Sequence, residues 1–98
     1  MKAVNLVFGE DYNDVDILLV PDEIADNIDV VLRKFNKWLS IPENQNRFLV
    51  PYHGRMVLGI DTKEFLWWLN NCEMLDNQES TILKQHTAYQ PDYPAAFL

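Results

Sequence analysis

Four carboxylates fall within the eight residues GEDYNDVD, Gly9 to Asp16. Acids packed that closely serve one of three ends: they hold a cation, share a proton in acid–base chemistry, or cap the backbone of a turn. A calcium loop of the form D-x-[DN]-x-[DN]-G needs an oxygen donor at its fifth position and a glycine at its sixth. Counted from Asp11, those positions hold Val15 and Asp16, so the pattern fails at both. No metal and no cofactor are expected. Acid–base chemistry by paired carboxylates needs one of them in an apolar pocket that raises its pKa. Asp16, between Val15 and Ile17, is the one candidate, and strand alternation assigns it to the solvent side. The turn reading remains, in which Gly9 accepts a positive φ and the Asp and Asn side chains bond their own backbone.

The other reactive side chains are His53, His86 and Cys72. A nucleophilic cysteine needs an activating base and a partly exposed, electropositive setting. Cys72 projects with Phe65, Trp68 and Leu69 at helical spacing, which reads as a small core filler. Nothing in the spacing brings either histidine to it. The sequence has no glycine-rich phosphate loop, no serine nucleophile elbow and no zinc-binding histidine pattern. The expectation is a protein that is not an enzyme and has no catalytic residues, with an enzyme using His53 or Asp16 as the remotest alternative.

Composition narrows the class further. The chain has 98 residues, of which 48% are hydrophobic and 23% charged, the size and balance of one compact domain spanning 1–98. Only a few apolar residues separate Lys2 from Glu10, too few for a secretory signal. The longest uncharged apolar-rich stretch, FLWWLNNC, is far shorter than the roughly 20 residues that span a bilayer. With a single cysteine the chain fits a reducing compartment, and a cytoplasmic location with no membrane contact is expected. The net charge is −7. Residues 1–29 hold eight acids and one base, whereas residues 30–98 hold seven of each. That bias disfavours direct nucleic-acid binding, which needs a basic footprint on phosphate, and favours a partner with a basic surface.

These residues need a frame. AVNLVF alternates, with Val4, Leu6 and Phe8 on one face, and VDILLV alternates, with Val15, Ile17 and Leu19 on one face. The two read as a hairpin closed by the acidic loop. PDEIADNIDVVLRKFNKWLS carries Ile24, Ile28, Val31, Phe35, Trp38 and Leu39 on one helical stripe from about Asp22, stopped by Pro42. Its acids lie in the first half and its bases in the second, which complements the helix dipole, and Asp29 with Arg33 forms an i, i+4 pair. SIPENQNR reads as a polar loop. FLVPYHGRMVLGI reads as two strands, Phe48 to Tyr52 and Arg55 to Ile60, meeting at His53-Gly54, with Pro51 pushing the first toward a sheet edge. DTKE has the form of a capping box, Asp61 as cap and Glu64 reaching back, before a helix from Thr62 to about Leu75. Ser80 to Tyr89 is a candidate fifth strand, and 90–98 an extended C-terminal tail. The fold class is α+β: two amphipathic helices packed on a mostly antiparallel sheet of four or five strands, in the order β-β-α-β-β-α. The expected core combines Ile24, Ile28, Val31, Phe35 and Leu39 with Phe65, Leu69 and Cys72, packed on Leu6, Ile17, Leu19 and Leu58.

One helix carries more apolar surface than a core stripe needs. With Phe65 at the origin, Trp67 falls near about 200° and Met74 near about 180°, on the side away from the core. Exposed Trp beside Met is an interface composition; the competing reading has the tail fold back so that Tyr89, Tyr93 or Phe97 covers Trp67. The functional expectation is a small acidic binding protein that occludes a partner protein, of the kind that inhibits a nuclease or another nucleic-acid-binding protein. Carboxylates would occupy the basic groove meant for phosphate, as immunity proteins, antitoxins and phage-encoded inhibitors do. The expected contact residues are Glu10, Asp11, Asp14, Asp22, Asp26, Trp67 and Met74. The alternative is a structural or accessory domain that forms a homodimer through Trp67 or through the edge strand containing Pro51.

Overall fold

The computed structural model describes residues 1–7, 12–73 and 79–97, and the fold is α+β. Strands β1 (Lys2–Val7) and β2 (Val15–Val20) form the expected antiparallel hairpin, with Leu6 opposite Asp16 and Val7 opposite Val15. Phe8, Gly9, Glu10 and Asp11 lie outside the described residues. The stretch after Pro21 is helical but divided, α1 running over Asp22–Asp26 and α2 over Ile28–Leu39. The break falls at Asn27, whose side-chain amide donates to the Glu23 carbonyl at 3.0 Å and competes with the helical backbone.

The expected polar loop after Ser40 holds a helical turn, α3 (Pro42–Gln45), and a 3-10 turn over Asn46–Phe48. Its polar side chains have a structural use. Asn44 donates to the Trp38 carbonyl at 2.9 Å and Gln45 to the Leu39 carbonyl at 2.8 Å, both in the last turn of α2, where carbonyls lack their usual helical partners. Strands β3 (Leu49–Tyr52) and β4 (Arg55–Leu58) follow, joined at His53-Gly54, then α4 (Thr62–Cys72), β5 (Thr81–Thr87) and β6 (Ala95–Phe97).

Sheet order departs from the expectation. The main sheet runs β5-β2-β1-β6, while β3 and β4 pair only with each other. Both edges of the central hairpin are taken by the C-terminal third: β5 pairs antiparallel with β2, and β6 pairs parallel with β1. The end of the expected tail is therefore a strand, and the sheet is mixed. Asn5, fully buried in β1, holds that segment in place. Its side chain accepts from the Gln90 amide at 2.9 Å and donates to the carbonyls of Gln90 and Tyr93 at 2.9 and 3.2 Å.

The sheet is covered on both faces. On one side Val4, Leu6, Leu18, Val20 and Ala96 pack against Ile24, Ile28, Val31, Leu32, Phe35 and Leu39 of α1 and α2 and against Phe65, Trp68 and Leu69 of α4. Phe35 is the hub, with ring centroids 5.2 Å from Phe65 and 5.4 Å from Trp68. On the other side Val7, Val15 and Ile17 pack with Ala3 and Tyr89.

Four expected core placements change. Ile17 and Leu19 point to the face opposite the helices, and Leu18 and Val20 replace them; VDILLV is apolar on both faces, so alternation alone does not choose its register. Leu19 is only half-buried, and Leu58, on the separate ribbon, is 41% exposed. Cys72 is exposed: the last turn of α4 borders a groove of about 450 Å³, lined in part by Lys37, Trp38 and Ile41. Leu75 lies outside the described residues.

Replacing Phe35 by Ala removes the ring on which both helices converge and should cost about 3–5 kcal/mol in urea unfolding. A loss below about 1 kcal/mol, the range of surface substitutions, would contradict this core.

Candidate functional site

Asp16 sits opposite to its expected position: it is 4% exposed and faces α4, on the same side of β2 as Leu18 and Val20. A carboxylate in that position needs partners. Its Oδ2 accepts from the hydroxyl of Thr62, the first residue of α4, and its Oδ1 accepts from the His86 amide at 3.2 Å. One turn of helix and two strands meet at this side chain.

The local backbone is built around the contact. Asp61 caps α4, its Oδ1 accepting from the Thr62 amide at 2.6 Å. The other half of the expected capping box is absent: the buried Oε2 of Glu64 has no hydrogen-bond partner among the described residues. On β5, the pairing with β2 shifts register between Val15 and Ile17 and again between Ile17 and Leu18. His86 takes a left-handed φ of 51° in that irregular stretch, a conformation uncommon for a side chain with a Cβ. The kink turns its amide toward Asp16 while its ring Nδ1 lies 2.7 Å from Asp14 Oδ1. The Asp14 carboxylate raises the His86 pKa above the ordinary 6.5, first by the hydrogen bond and then by charge.

A hydroxyl beside a buried carboxylate has the composition of an activated nucleophile, but Thr62 is fully buried and Asp16 nearly so, which puts both out of reach of a substrate. Their contact locks α4 to the sheet. Among the described residues no group of three His, Cys, Asp or Glu side chains gathers as a metal site.

The acids expected at a partner surface are dispersed. Asp14 pairs with His86. Asp22 lies 2.8 Å from the Met1 α-amino group, which lowers its carboxyl below the usual value, and Asp26 lies 2.8 Å from Lys2, whose ammonium is raised above its usual value chiefly by that hydrogen bond. Asp29 meets Arg33 at 3.6 Å, as the i, i+4 spacing implies. Glu10, Asp11 and Met74 lie outside the described residues. Trp67 does not stand clear of the protein. It is partly buried against Trp38 and Phe48, with centroids 6.2 and 6.0 Å away, and the Arg47 guanidinium lies 4.3 Å from the centre of its ring. Among the described residues the 3-10 turn, not the tail, packs on it.

Four of the exposed large apolar side chains gather instead on the β3–β4 ribbon. Tyr52 is 61% exposed, Met56 60%, and Val50 and Leu58 41% each. Leu49 pairs with Leu58 and Pro51 with Met56 on one face, Val50 with Val57 and Tyr52 with Arg55 on the other, so both faces carry apolar side chains into solvent. The ribbon is rooted at its base, where the Gly59 amide donates to the Phe48 carbonyl at 2.9 Å and Gly59 packs so close to Val50 that a Cβ there would meet its side chain at 2.9 Å. The sequence signal is the proline, which bars a central strand position; the apolar runs on either side of the turn read equally as core. No helix of the described residues is long and apolar enough to cross a membrane. No family model, curated protein or solved structure matches the chain.

Asp16→Ala leaves the Thr62 hydroxyl and the His86 amide without an acceptor and should destabilise by about 1–3 kcal/mol. Adding Thr62→Val should cost little more, since the second change removes one stranded group; strict additivity of the two losses in denaturant unfolding would refute the contact. For His86, the raised pKa means that the Asp14 pair contributes fully below about 6.5, the unfolded value, and is lost as pH rises through the folded value. In Asp14→Asn the His86 midpoint, followed by NMR, should fall back toward 6.5. An unchanged midpoint would show that Asp14 does not set it.

Proposed function

We propose that this chain is a small acidic binding protein that acts by occluding part of another protein. The β3–β4 ribbon is its anchor and the N-terminal acids guide the approach. The observation that carries the reading is the ribbon itself: Val50, Tyr52, Met56 and Leu58 are exposed together on one short hairpin. Apolar side chains exposed together on one short element of a small protein mark an interaction site, and Tyr and Met are among the residue types enriched there. Arg47, stacked on Trp67 beside the ribbon's base, adds a second element of interface composition.

The charge supports a basic partner. Asp22, Glu23 and Asp26 are exposed on α1, where Lys2 and the Met1 amine offset only part of the charge, and the chain as a whole carries −7. Such a field accelerates encounter with a positive surface and contributes less to holding the complex. A nuclease or another nucleic-acid-binding protein presents that kind of surface, so inhibition by occlusion in a reducing cytoplasm is the role this combination serves. The homodimer reading is favoured by one feature of β4, its open edge.

Separate variants test the anchor and the charge against the partner recovered from the native host. Tyr52→Asp and Met56→Asp change exposed positions, so folding free energy should stay within about 0.5 kcal/mol. Each should weaken binding at least about tenfold, through faster dissociation. Reversing Asp22 and Asp26 to Lys should slow association and flatten its salt dependence. Ribbon variants that bind as tightly as the unaltered chain would refute the anchor.

A further inference from the structure

The β3–β4 ribbon is the least supported element of the fold. Its strands have four residues each and, among the described residues, pair with no others. A two-stranded hairpin alone is marginal in water, whereas a sheet of three or more strands with an apolar face is stable. The backbone polarity of the ribbon shows which edge can accept another strand. His53 and Gly54, with φ of 48° and 76°, form the two-residue turn that matches a hairpin's twist, and such a turn closes on a hydrogen-bonded pair, here Tyr52 with Arg55. Bonded and non-bonded pairs alternate along an antiparallel ladder. Val50 with Val57 is then the next bonded pair, and the bond from the Gly59 amide to the Phe48 carbonyl continues the series.

Leu49 with Leu58 and Pro51 with Met56 fall in the non-bonded positions, so the backbone groups of these four residues point outward. On β3 one outward position is Pro51, which has no N–H to offer, and this blunts that edge. On β4 the outward positions are Met56 and Leu58, each with a free donor and acceptor direction and an exposed apolar side chain.

We propose that β4 pairs antiparallel with β4 of a second copy of this chain, across a two-fold axis at Val57. The outward groups fix the register. Met56 exchanges both backbone bonds with Leu58 of the second copy, Leu58 does the same with its Met56, and Val57 meets Val57 in the non-bonded position, where side chains approach most closely. The exposed Met56 and Leu58 side chains then cover each other across the seam, and Arg55 falls opposite Gly59, so like charges do not oppose. The four-stranded sheet ends at a Pro51 edge on both sides, which stops growth at two copies, as an isologous contact requires. The proposal rests on the ribbon being an interaction surface, and the paired sheet doubles the apolar face offered to a partner.

Sedimentation from micromolar to millimolar concentration tests it. The unaltered chain should pass from the mass of one chain to that of two. Met56→Pro removes one outward donor and leaves the ladder to β3 intact, and it should stay monomeric. Val57→Lys and Val57→Glu should each stay monomeric, while their equimolar mixture recovers the dimer, because the two changed positions face each other. Circular dichroism establishes that each variant is folded; should Met56→Pro unfold, the Val57 mixture decides. A chain that remains monomeric at millimolar concentration, a dimer untouched by all three substitutions, or a mixture that fails to reassociate would each overturn the pairing. A monomeric chain whose partner binding is nevertheless lost in Tyr52→Asp would overturn the dimer and leave the docking surface standing. A dimer whose partner binding survives Tyr52→Asp would do the reverse.

Discussion

A buried carboxylate must be paired where it lies, and Asp16 imposes that condition on the rest of this chain. Its two oxygens are satisfied by the first residue of α4 and by the backbone of β5, so one side chain on the central strand sets where a helix begins and where a strand kinks. Breaking such a contact from one side strands polar groups in the interior, which makes it a stronger constraint on geometry than its net contribution to stability suggests. With α4 held there, Phe65 and Trp68 meet Phe35, and Trp67, just before Trp68, meets Trp38 and Phe48. Phe48 ends the 3-10 turn from which the β3–β4 ribbon leaves the body of the protein. The position of the exposed ribbon thus traces back, contact by contact, to Asp16.

Asn5 plays the matching part on β1. A sheet of only four strands in a small domain exposes much of its surface unless both faces are covered, and the chain has helices for one face only. The other is closed by 88–94, a segment too short and too rich in proline to hold itself in place by packing. Side-chain hydrogen bonds of a fully buried asparagine, given to backbone carbonyls and accepted from the Gln90 amide, fix it, and the backbone bond from the Asn5 amide to the Pro94 carbonyl at 2.8 Å brings β6 into register. Tyr12, Tyr89 and Phe97 then gather at one end, with Tyr12 edge-on to Tyr89 at 5.4 Å and to Phe97 at 6.2 Å. Two polar residues, one on each central strand, therefore do the positioning, and apolar burial supplies the bulk of the free energy.

The same two residues mark where the sequence stops being readable. Local patterns were legible: the hairpin, the apolar stripe from Ile24 to Leu39, the Asp61 cap and the turn at His53-Gly54 all follow from spacing and residue type. Pairings between distant segments were not. In VDILLV both faces are apolar, so the single acid looked like the solvent marker; its partner, Thr62, is 46 positions away. Asn5 in AVNLVF carries no local sign of its partners either, since Gln90 and Tyr93 lie 85 and 88 positions away. The β3–β4 ribbon failed differently. Its runs of apolar residues are what core strands would show, and only Pro51 hinted that this pair stands apart. Neither reading of Trp67, exposed at an interface or covered by the tail, names the turn that meets it, because helical angle says which way a side chain leaves its own helix and nothing about Arg47 and Phe48.

The central claim is that the molecule meets other chains through the ribbon. Amide hydrogen exchange on uniformly labelled protein addresses this directly, by comparing dilute protein, concentrated protein and protein saturated with its partner. The outward amides of Met56 and Leu58 should exchange quickly when dilute and become protected when concentrated or bound, while Val57, already bonded to Val50, changes little, and α1 is unaffected by concentration. Protection that rises on α1 or around Trp67 while Met56 and Leu58 exchange freely throughout would contradict the account.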